Sequence, residues 1–471
     1  MSTKRRDFLK ITGLTGVSFL GSSLFANAAK LSSDLESPAH SGIERFNMCG
    51  YAAPKLEKVR VGFIGLGMRG PTHVYGFSKI EGVEIKGLCD IRPEKVAAME
   101  KKLSGTSHKP DSYTGDENSW KKMCDRKDID LVIIATPWAL HTPMAVYAMK
   151  AGKHVAIEVP AAKTLDQCWQ LVHTSESTKK HCMMMENCCY DFFELMTLNM
   201  ARDGFFGEVL HGEGAYLHNL LGENFDKNGY YNMWRLRENI DRNGNLYPTH
   251  GLGPLCQIMN INRGDQFVDI SSTSSNDFLM HKTAMELAAK DPFYKEFENK
   301  KFRGNMNATN IRTQNGKTLT IYHDVTTPRP YSRIHLLNGT KASAVKYPEP
   351  AKISLGEDWI DESGMKKLEE KYTPEIVQKV GSMAKKIGGH GGMDFMMQWR
   401  LIDCLRNGLP LDEDVYDAAL WSSITPLSEW SVAHDSNSVK AIDFTAGAWK
   451  TNRPVELTLK GGGTTEVVPG K

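Results

Sequence analysis

Val59-Arg60-Val61-Gly62-Phe63-Ile64 runs directly into Gly65-Leu66-Gly67-Met68-Arg69-Gly70, an apolar strand followed by G-x-G-x-x-G. Pro71 opens a helical run behind it, and a second apolar strand, Val83–Cys89, is closed by Asp90. Strand, glycine turn, helix, strand and acid in that order match the needs of a bound dinucleotide. Gly65 permits the tight turn, Gly67 lets the backbone approach a pyrophosphate, and Gly70 lets helix and strand lie close. The helix N-terminus offers unpaired N–H groups and a positive dipole end to the phosphates. Asp90 is placed to accept hydrogen bonds from the adenosine ribose, which favours NAD over NADP because a 2′-phosphate would be repelled. The turn residues Gly65, Gly67, Met68, Arg69 and Gly70, together with Asp90, are therefore expected to hold the cofactor.

From Val59 to about Glu186, strands and helices alternate. The strands are expected at Val59–Leu66, Val83–Cys89, Leu131–Ala135, Val155–Val159 and Cys182–Met185, and helices at Pro93–Leu103, Met144–Ala151 and Leu165–Lys179. Such alternation implies right-handed crossovers and a doubly wound parallel sheet, a Rossmann α/β domain. Ligands in this architecture sit at the carboxyl edge of the strands. Three segments fall there: Thr136-Pro137-Trp138-Ala139-Leu140-His141, Glu158-Val159-Pro160 and Glu186-Asn187. His141 reads as a brace for the cofactor. Beyond residue 190 the texture changes to glycine-spaced, alternating strands at 207–218, 302–309, 318–324 and 342–347. An α+β domain with an open, mostly antiparallel sheet is expected there, closed by helices at 393–407 and 414–436.

The first residues set the compartment. Arg5-Arg6-Asp7-Phe8-Leu9-Lys10 is a twin-arginine signature, followed by an uncharged run and the cleavage-site pattern Ala26-Asn27-Ala28. Gly13, Gly16, Gly21 and several Ser and Thr make that run too polar for a good membrane span. The twin-arginine export machinery is an expected partner, and periplasm or cell surface the expected destination. Exported proteins of this kind fold first, and no free nicotinamide pool exists outside the cytoplasm. The NAD is therefore expected to stay tightly bound and to regain its oxidation state in each turnover. The expected organisation is signal 1–28, leader 29–57, NAD-binding domain 58–187, substrate domain 188–449 and tail 450–471.

Of the 471 residues 41% are hydrophobic and 24% charged, ordinary globular usage. Loss of residues 1–28 removes four cations and one anion, so the net charge of +2 becomes −1. No nucleic-acid surface is expected from that balance. The nine cysteines are odd in number and lack C-x-x-C, and folding in a reducing compartment makes them buried small hydrophobes. His211, His218 and His250 lack a metal-ligand spacing, and no metal is expected. Homo-oligomerisation is left open by the sequence.

The arrangement resembles the glucose–fructose oxidoreductase and inositol dehydrogenase superfamily over residues 58–449. Within it the chain is more similar to the NAD-dependent α-N-acetylgalactosaminidases, glycoside hydrolase family 109. The carrying segments include Met68-Arg69-Gly70, Pro137-Trp138 with His141, Glu186-Asn187 with Cys189-Tyr190, Arg329-Pro330-Tyr331 and Ser422–Glu429. Asn245-Leu246-Tyr247-Pro248-Thr249-His250-Gly251 and Gly389-His390-Gly391-Gly392-Met393-Asp394 also match, and the Leu246–Gly253 and Gly389–Asp394 blocks are specific. Superfamily dehydrogenases carry E-K-P where this chain has Glu158-Val159-Pro160, and their lysine helps move the substrate hydroxyl proton. Its absence disfavours simple dehydrogenation.

The resemblance implies hydrolysis of a terminal α-linked N-acetylgalactosamine with no net redox. C3 of the sugar is oxidised by bound NAD, the acidified C2 proton is removed, the aglycone leaves C1, water adds and C3 is reduced. Paired carboxylates of the usual kind are not required. It further implies that Trp138, Ala139, Leu140, His141, Glu158, Val159, Asn187 and Tyr247 line the cofactor. Tyr216, Arg235, Tyr331 and the block Tyr247-Pro248-Thr249-His250 would contact the sugar. His250 suits the C3 hydroxyl proton, since an imidazole switches charge near neutral pH. Tyr190 or Tyr247 would act at C2 or at the leaving oxygen. The alternative is an exported NAD(P)-dependent sugar oxidoreductase of the glucose–fructose type. Replacing Arg5 and Arg6 with lysine should hold the protein in the cytoplasm; fractionation of cells tests this, and undiminished export would refute it.

Overall fold

The structure is a computed structural model that describes residues 45–468. The expected signal (1–28) and the leader as far as residue 44 lie outside the described residues. Six strands form the first sheet: β1 (Val59–Ile64), β2 (Val83–Cys89), β3 (Asp111–Tyr113), β4 (Leu131–Ile134), β5 (His154–Ile157) and β6 (Cys182–Met184). All pair in parallel, in the order β3-β2-β1-β4-β5-β6. Every residue of β4 and β5 is buried, as a sheet covered on both faces requires. The winding reverses between β1 and β4, so the carboxyl ends of those two strands flank the crevice where such sheets take ligands.

The helices of this half are α1 (Gly70–Phe77), α2 (Pro93–Leu103), α3 (Ser119–Cys124), α4 (Trp138–Lys150) and α5 (Leu165–Thr178). α4 begins six residues before the expected Met144 and carries Pro143 inside it. A proline this near a helix start forfeits a single hydrogen bond, so the first turn survives and delivers Trp138 and His141 to the sheet edge. β3 was unforeseen because Asp111-Ser112-Tyr113 has no apolar pattern; it is held by backbone pairing to β2 at the sheet edge.

The second half is built on a nine-stranded sheet: β7 (Val209–Leu217), β8 (Phe267–Ser274), β9 (Asn307–Thr313), β10 (Thr318–Asp324), β11 (Leu336–Gly339), β12 (Ala342–Val345), β13 (Lys352–Leu355), β14 (Asp358–Trp359) and β15 (Val439–Lys440). Its order is β14-β13-β12-β11-β7-β10-β9-β8-β15, antiparallel except for the β7–β10 pair. The strand expected at 302–309 is displaced to Asn307–Thr313, because Gly304 is pressed onto the Ser275 carbonyl and breaks the run. Helices α6 (Phe192–Arg202), α7 (Thr249–Ile258), α8 (Met393–Asn407) and α9 (Val415–Ala433) cover one side. α7 lies on β7, α9 spans β8 and α5, and α8 joins α1 to the 3-10 turn Asn187–Tyr190. Asp414 and Asp417 form a capping box that starts α9, and Gly408 in the left-handed region ends α8.

The last described residues return to the first sheet. Trp399 Nε1 donates to the Thr465 carbonyl at 3.1 Å, and Gly463 N donates to Asp403 Oδ2 at 2.7 Å. Val468 N donates to Lys79 O, and Glu81 N to Glu466 O. All nine cysteines are free thiols, and eight of them are buried. Among the described residues no helix is long and apolar enough to cross a membrane.

Two buried histidines under β5 and β6 give the fold a pH dependence. His181 N donates to His154 Nδ1 at 3.1 Å, and the rings lie 5.1 Å apart. Burial, then the neighbouring His181 and Lys180, pulls His154 from 6.5 down to about 3; burial and Lys180 take His181 to about 4. Protons therefore bind the unfolded chain preferentially below pH 6.5. The stability these rings contribute is complete above pH 6.5 and is lost as pH falls towards 4 and then 3, at about 1.4 kcal/mol per pH unit per site. Urea unfolding between pH 7 and 4.5 should show that decline, and His154→Gln should flatten it by one site's share; an unchanged slope would exclude this origin.

Candidate active site

Chain geometry at the glycine turn matches what a dinucleotide requires. Gly65 has φ +90°, and a Cβ there would fall 2.6 Å from the Ala135 carbonyl oxygen. A Cβ on Gly70 would meet Gly65 O at 2.1 Å, so these two glycines close the turn onto β4 and α1. Gly67 differs: a Cβ there would meet only an Arg92 nitrogen, at 3.5 Å, so its backbone stays approachable. No side chain caps α1, which leaves its leading N–H groups for an anion. Asp90 accepts from Leu66 N at 2.7 Å and pairs with Arg92 at 3.1 Å. Arg92 in turn lies 5.0 Å from the Tyr231 ring, which reaches over from the second half. Met68 and Leu140 are exposed apolar side chains flanking the groove. These residues fit an NAD.

Behind the turn a chain of charges crosses from β5 to α8. Glu158 Oε1 accepts from His73 Nε2 at 2.7 Å and from Arg69 Nε at 2.8 Å. Arg69 Nη1 reaches Asp394 Oδ2 at 3.0 Å, and Asp394 also accepts from Asn187 and lies 2.9 Å from His390 Nδ1. Burial alone would push both carboxyls up. Arg69 and His73 instead hold Glu158, and His390 and Arg69 hold Asp394, well below the usual carboxylate range. Arg69 thus links the glycine turn to the second half, while Asn187, expected at the cofactor, is fixed by the same network. Val159 is buried beside Glu158 and offers no ionisable group. His141 bridges the Thr136 and Pro160 carbonyls at 2.7 Å each, tying the loops after β4 and β5 together. Ala139 is exposed one turn away.

The expected sugar-side residues converge in front of this edge. Tyr247 stacks on Trp138, with ring centroids 5.7 Å apart and planes inclined by 25°. Tyr247 also meets His250 edge-on at 4.9 Å and Tyr216 at 4.6 Å, and Tyr216 lies 5.3 Å from His250. Arg235 sits among Trp138, Tyr216, Tyr230 and Tyr247, donating to Tyr230 Oη at 2.8 Å. Among the described residues no carboxylate pairs with this guanidinium. Burial pushes the Tyr216 and Tyr247 phenols up, so both stay neutral donors at neutral pH. Tyr331 completes the wall at 6.3 Å from Tyr216 and 5.0 Å from His218.

His250 is set by close backbone contact. A Cβ on Gly251 would fall 2.2 Å from Ala215 N, and one on Gly214 would fall 2.3 Å from Gly251 O. Helix α7 therefore rests backbone to backbone on β7, and its first turn carries His250 against Tyr216. Pro248 and Thr249 are buried in that turn and act from behind, through the backbone they shape. His250 Nδ1 bonds Glu186 Oε1 at 2.7 Å. Tyr190 is not brought into the cluster: it is buried, with its hydroxyl 3.3 Å from Asp412, which is paired with Arg400. The short turn Asn187–Tyr190 sends its successive side chains to different sides. Glu186, Cys188 and His250 bring donor atoms within 4.8 Å of one another, but the His250 nitrogen and a Glu186 oxygen are already bonded to each other.

Several contributors lay outside the sequence expectation: Glu186 as a partner of His250, His73, Asp394, His390, and the Tyr230–Trp234 arm. Glu186 was visible as a lone acid ending the apolar run Met183-Met184-Met185, and Asp394 as the last residue of a matched block. His390 lies in that same block, whereas His73 and the Tyr230–Trp234 arm carry no local signal of their own.

A model of the "Glycosyl hydrolase 109, C-terminal domain" matches residues 190–451. The chain belongs to glycoside hydrolase family 109. A second model, "Oxidoreductase family, NAD-binding Rossmann fold", matches residues 59–186. An alpha-N-acetylgalactosaminidase of Bacteroides fragilis is 49% identical over 412 residues, covering 86% of this chain and 96% of the relative. A family 109 protein of Shewanella pealeana is 44% identical, covering 97% and 99%. Among solved structures, levoglucosan dehydrogenase in complex with NADH and L-sorbose superposes with a TM-score of 0.62 at 17% identity, over 82% of this chain and all of that one. The aldose-aldose oxidoreductase of Caulobacter crescentus gives 0.58 at 16%, over 81% and 99%. These likenesses fix the fold. The family and its NAD-binding domain make this chain an NAD-dependent glycoside hydrolase.

Gly251→Ala should force α7 off β7, destabilising the protein by about 1–3 kcal/mol or more and abolishing turnover with the cofactor still bound. Thermal melting, cofactor content and activity test this together; a variant as stable and active as the parent would refute the packing account.

Proposed function

We propose that this family 109 enzyme hydrolyses terminal α-linked N-acetylgalactosamine by oxidation at C3, elimination across C1–C2, addition of water and reduction at C3. When bound, NAD supplies the two-electron acceptor and donor for the C3 carbon. The observation that carries the reading is the cluster Trp138–Tyr247–His250–Tyr216, built across the carboxyl edge of the first sheet with no ionisable group at Val159. A proton acceptor for the sugar must then come from the second half of the chain. The Bacteroides fragilis relative, an alpha-N-acetylgalactosaminidase by name, supports the choice of sugar.

In this reading His250 takes the C3 hydroxyl proton and gives it back at the end of the cycle. Tyr247 serves at C2 or at the leaving oxygen: no side chain among the described residues bonds its hydroxyl, whereas that of Tyr190 faces Asp412. Tyr216 and Tyr331 form the wall for the ring, and Arg235, a cation without a carboxylate partner, suits the acetamido carbonyl. Arg69, Asn187, Glu158, Asp90 and the glycine turn hold the cofactor. Tight retention of the cofactor and export through the twin-arginine route belong to the same reading, since Arg5-Arg6 precedes the folded body and no exchange pool exists outside the cytoplasm.

Purified without added nicotinamide and given an aryl α-N-acetylgalactosaminide in deuterated water, the enzyme should release sugar labelled at C2, with no net accumulation of reduced cofactor. Hydrolysis at full rate without C2 label would eliminate the elimination route. Accumulation of lactone and alditol from free sugars would instead identify a sugar oxidoreductase.

A further inference from the structure

The partner of His250 caps a short turn and also reaches across to the imidazole. Glu186 is fully buried at the carboxyl edge of β6, where an unpaired carboxylate is costly. Its Oε1 is shared between His250 Nδ1 at 2.7 Å and Cys188 N at 3.1 Å, and the Thr249 hydroxyl lies beside the carboxylate. Two devices fix it there. Glu186 starts the turn Asn187–Tyr190 by capping Cys188 N, which limits its rotamers. Gly253, three residues beyond His250, admits it: a Cβ there would fall 2.9 Å from Glu186 Cγ. Helix α7 is thus shaped both to carry His250 and to press against its partner.

We propose that Glu186 is the positioning residue of the active site, holding His250 by Nδ1 so that Nε2 presents its lone pair to the C3 hydroxyl of the sugar. The inference rests on the function proposed above, in which His250 moves that proton. A carboxylate acceptor selects the tautomer with hydrogen on Nδ1 and stabilises the imidazolium that forms when Nε2 takes a proton.

Other groups around the ring do not substitute for it. Cys188 from the same turn, Tyr216 from β7 and Tyr247 from the preceding loop are neutral at neutral pH, because burial pushes thiol and phenols up. His218, further along β7, is pulled down by burial and by Arg235 and is neutral too. The cations on this side are Arg235, against the Tyr216 and Tyr247 rings, and Arg333, whose charge acts on Cys188. Behind Glu186, Glu413 accepts from its backbone N at 3.2 Å, and burial pushes that carboxyl well up, which disfavours a second negative charge there. The charge that favours the imidazolium therefore sits on Glu186.

The test uses the holoenzyme with an aryl α-N-acetylgalactosaminide, comparing the parent with Glu186→Gln, Glu186→Asp, His250→Ala and the double variant Glu186→Gln/His250→Ala. Glu186→Gln should lower kcat on the order of 10²-fold or more and leave KM within about threefold. The acid limb of its kcat–pH profile should move down by about one pH unit or more, since the carboxylate that favoured protonation is gone. Glu186→Asp should bring back the limb and part of the rate. Parental kcat and an unmoved limb in Glu186→Gln, with His250→Ala inactive, would overturn the proposal. Should Glu186→Gln melt early, the double variant decides. A melting loss that persists without His250 makes Glu186 a structural residue and overturns the assignment; one that vanishes supports it. An active His250→Ala would instead overturn the role of His250 on which the proposal stands.

Discussion

The two halves of this enzyme are registered by one part-buried guanidinium. Arg69 leaves the phosphate turn, takes Glu158 from β5 with one nitrogen and Asp394 from α8 with another. Two carboxylates on one guanidinium leave it little freedom, and each acid has a second donor, His73 on one side and Asn187 on the other. Burying so much charge costs several kcal/mol per ion unless every member is paired. Once paired, the network fixes position, because any shift of one half against the other would strand a charge. This chain of contacts holds the glycine turn against the half that carries the aromatic cluster, and Trp138 stacks on Tyr247 on the same side.

Much of the first half was legible because its signals are local. A glycine turn between an apolar strand and a helix start has few uses, and the run Leu131-Val132-Ile133-Ile134 of β4 has the length and full burial of a covered strand. The boundaries failed where local chemistry misleads: Pro143 reads as a break yet sits inside α4, and polar β3 is a strand only because β2 offers it an edge. The second half was less legible. Its long sheet includes short members such as β11 and β13, which are set by pairing partners far away in the chain and carry no pattern of their own.

The site divides in the same way. Tyr247 and His250 were visible as a spaced pair at a helix entry, and Glu158 and Asn187 as residues beyond strand ends. The Glu186 contact with His250 was not, since it joins residues 64 apart and depends on Gly251 and Gly253 allowing a close approach. Tyr190 shows the converse: a residue in the right segment, next to the right neighbours, whose side chain is turned by a single 3-10 turn towards Asp412. Sequence neighbourhood gives the address of a residue, and the backbone decides which way it faces.

The return of the final segment has a consequence for synthesis. Lys79 and Glu81, which lead into β2, are hydrogen-bonded by residues 466–468, while Trp399 and Asp403 of α8 hold the same segment at 463–465. One border of the nucleotide domain is therefore made from polypeptide that lies 385 residues further along the chain. That domain, although encoded ahead of this segment, stays unfinished until residues 463–468 have emerged, and a nascent chain stalled short of them would display an unsealed edge.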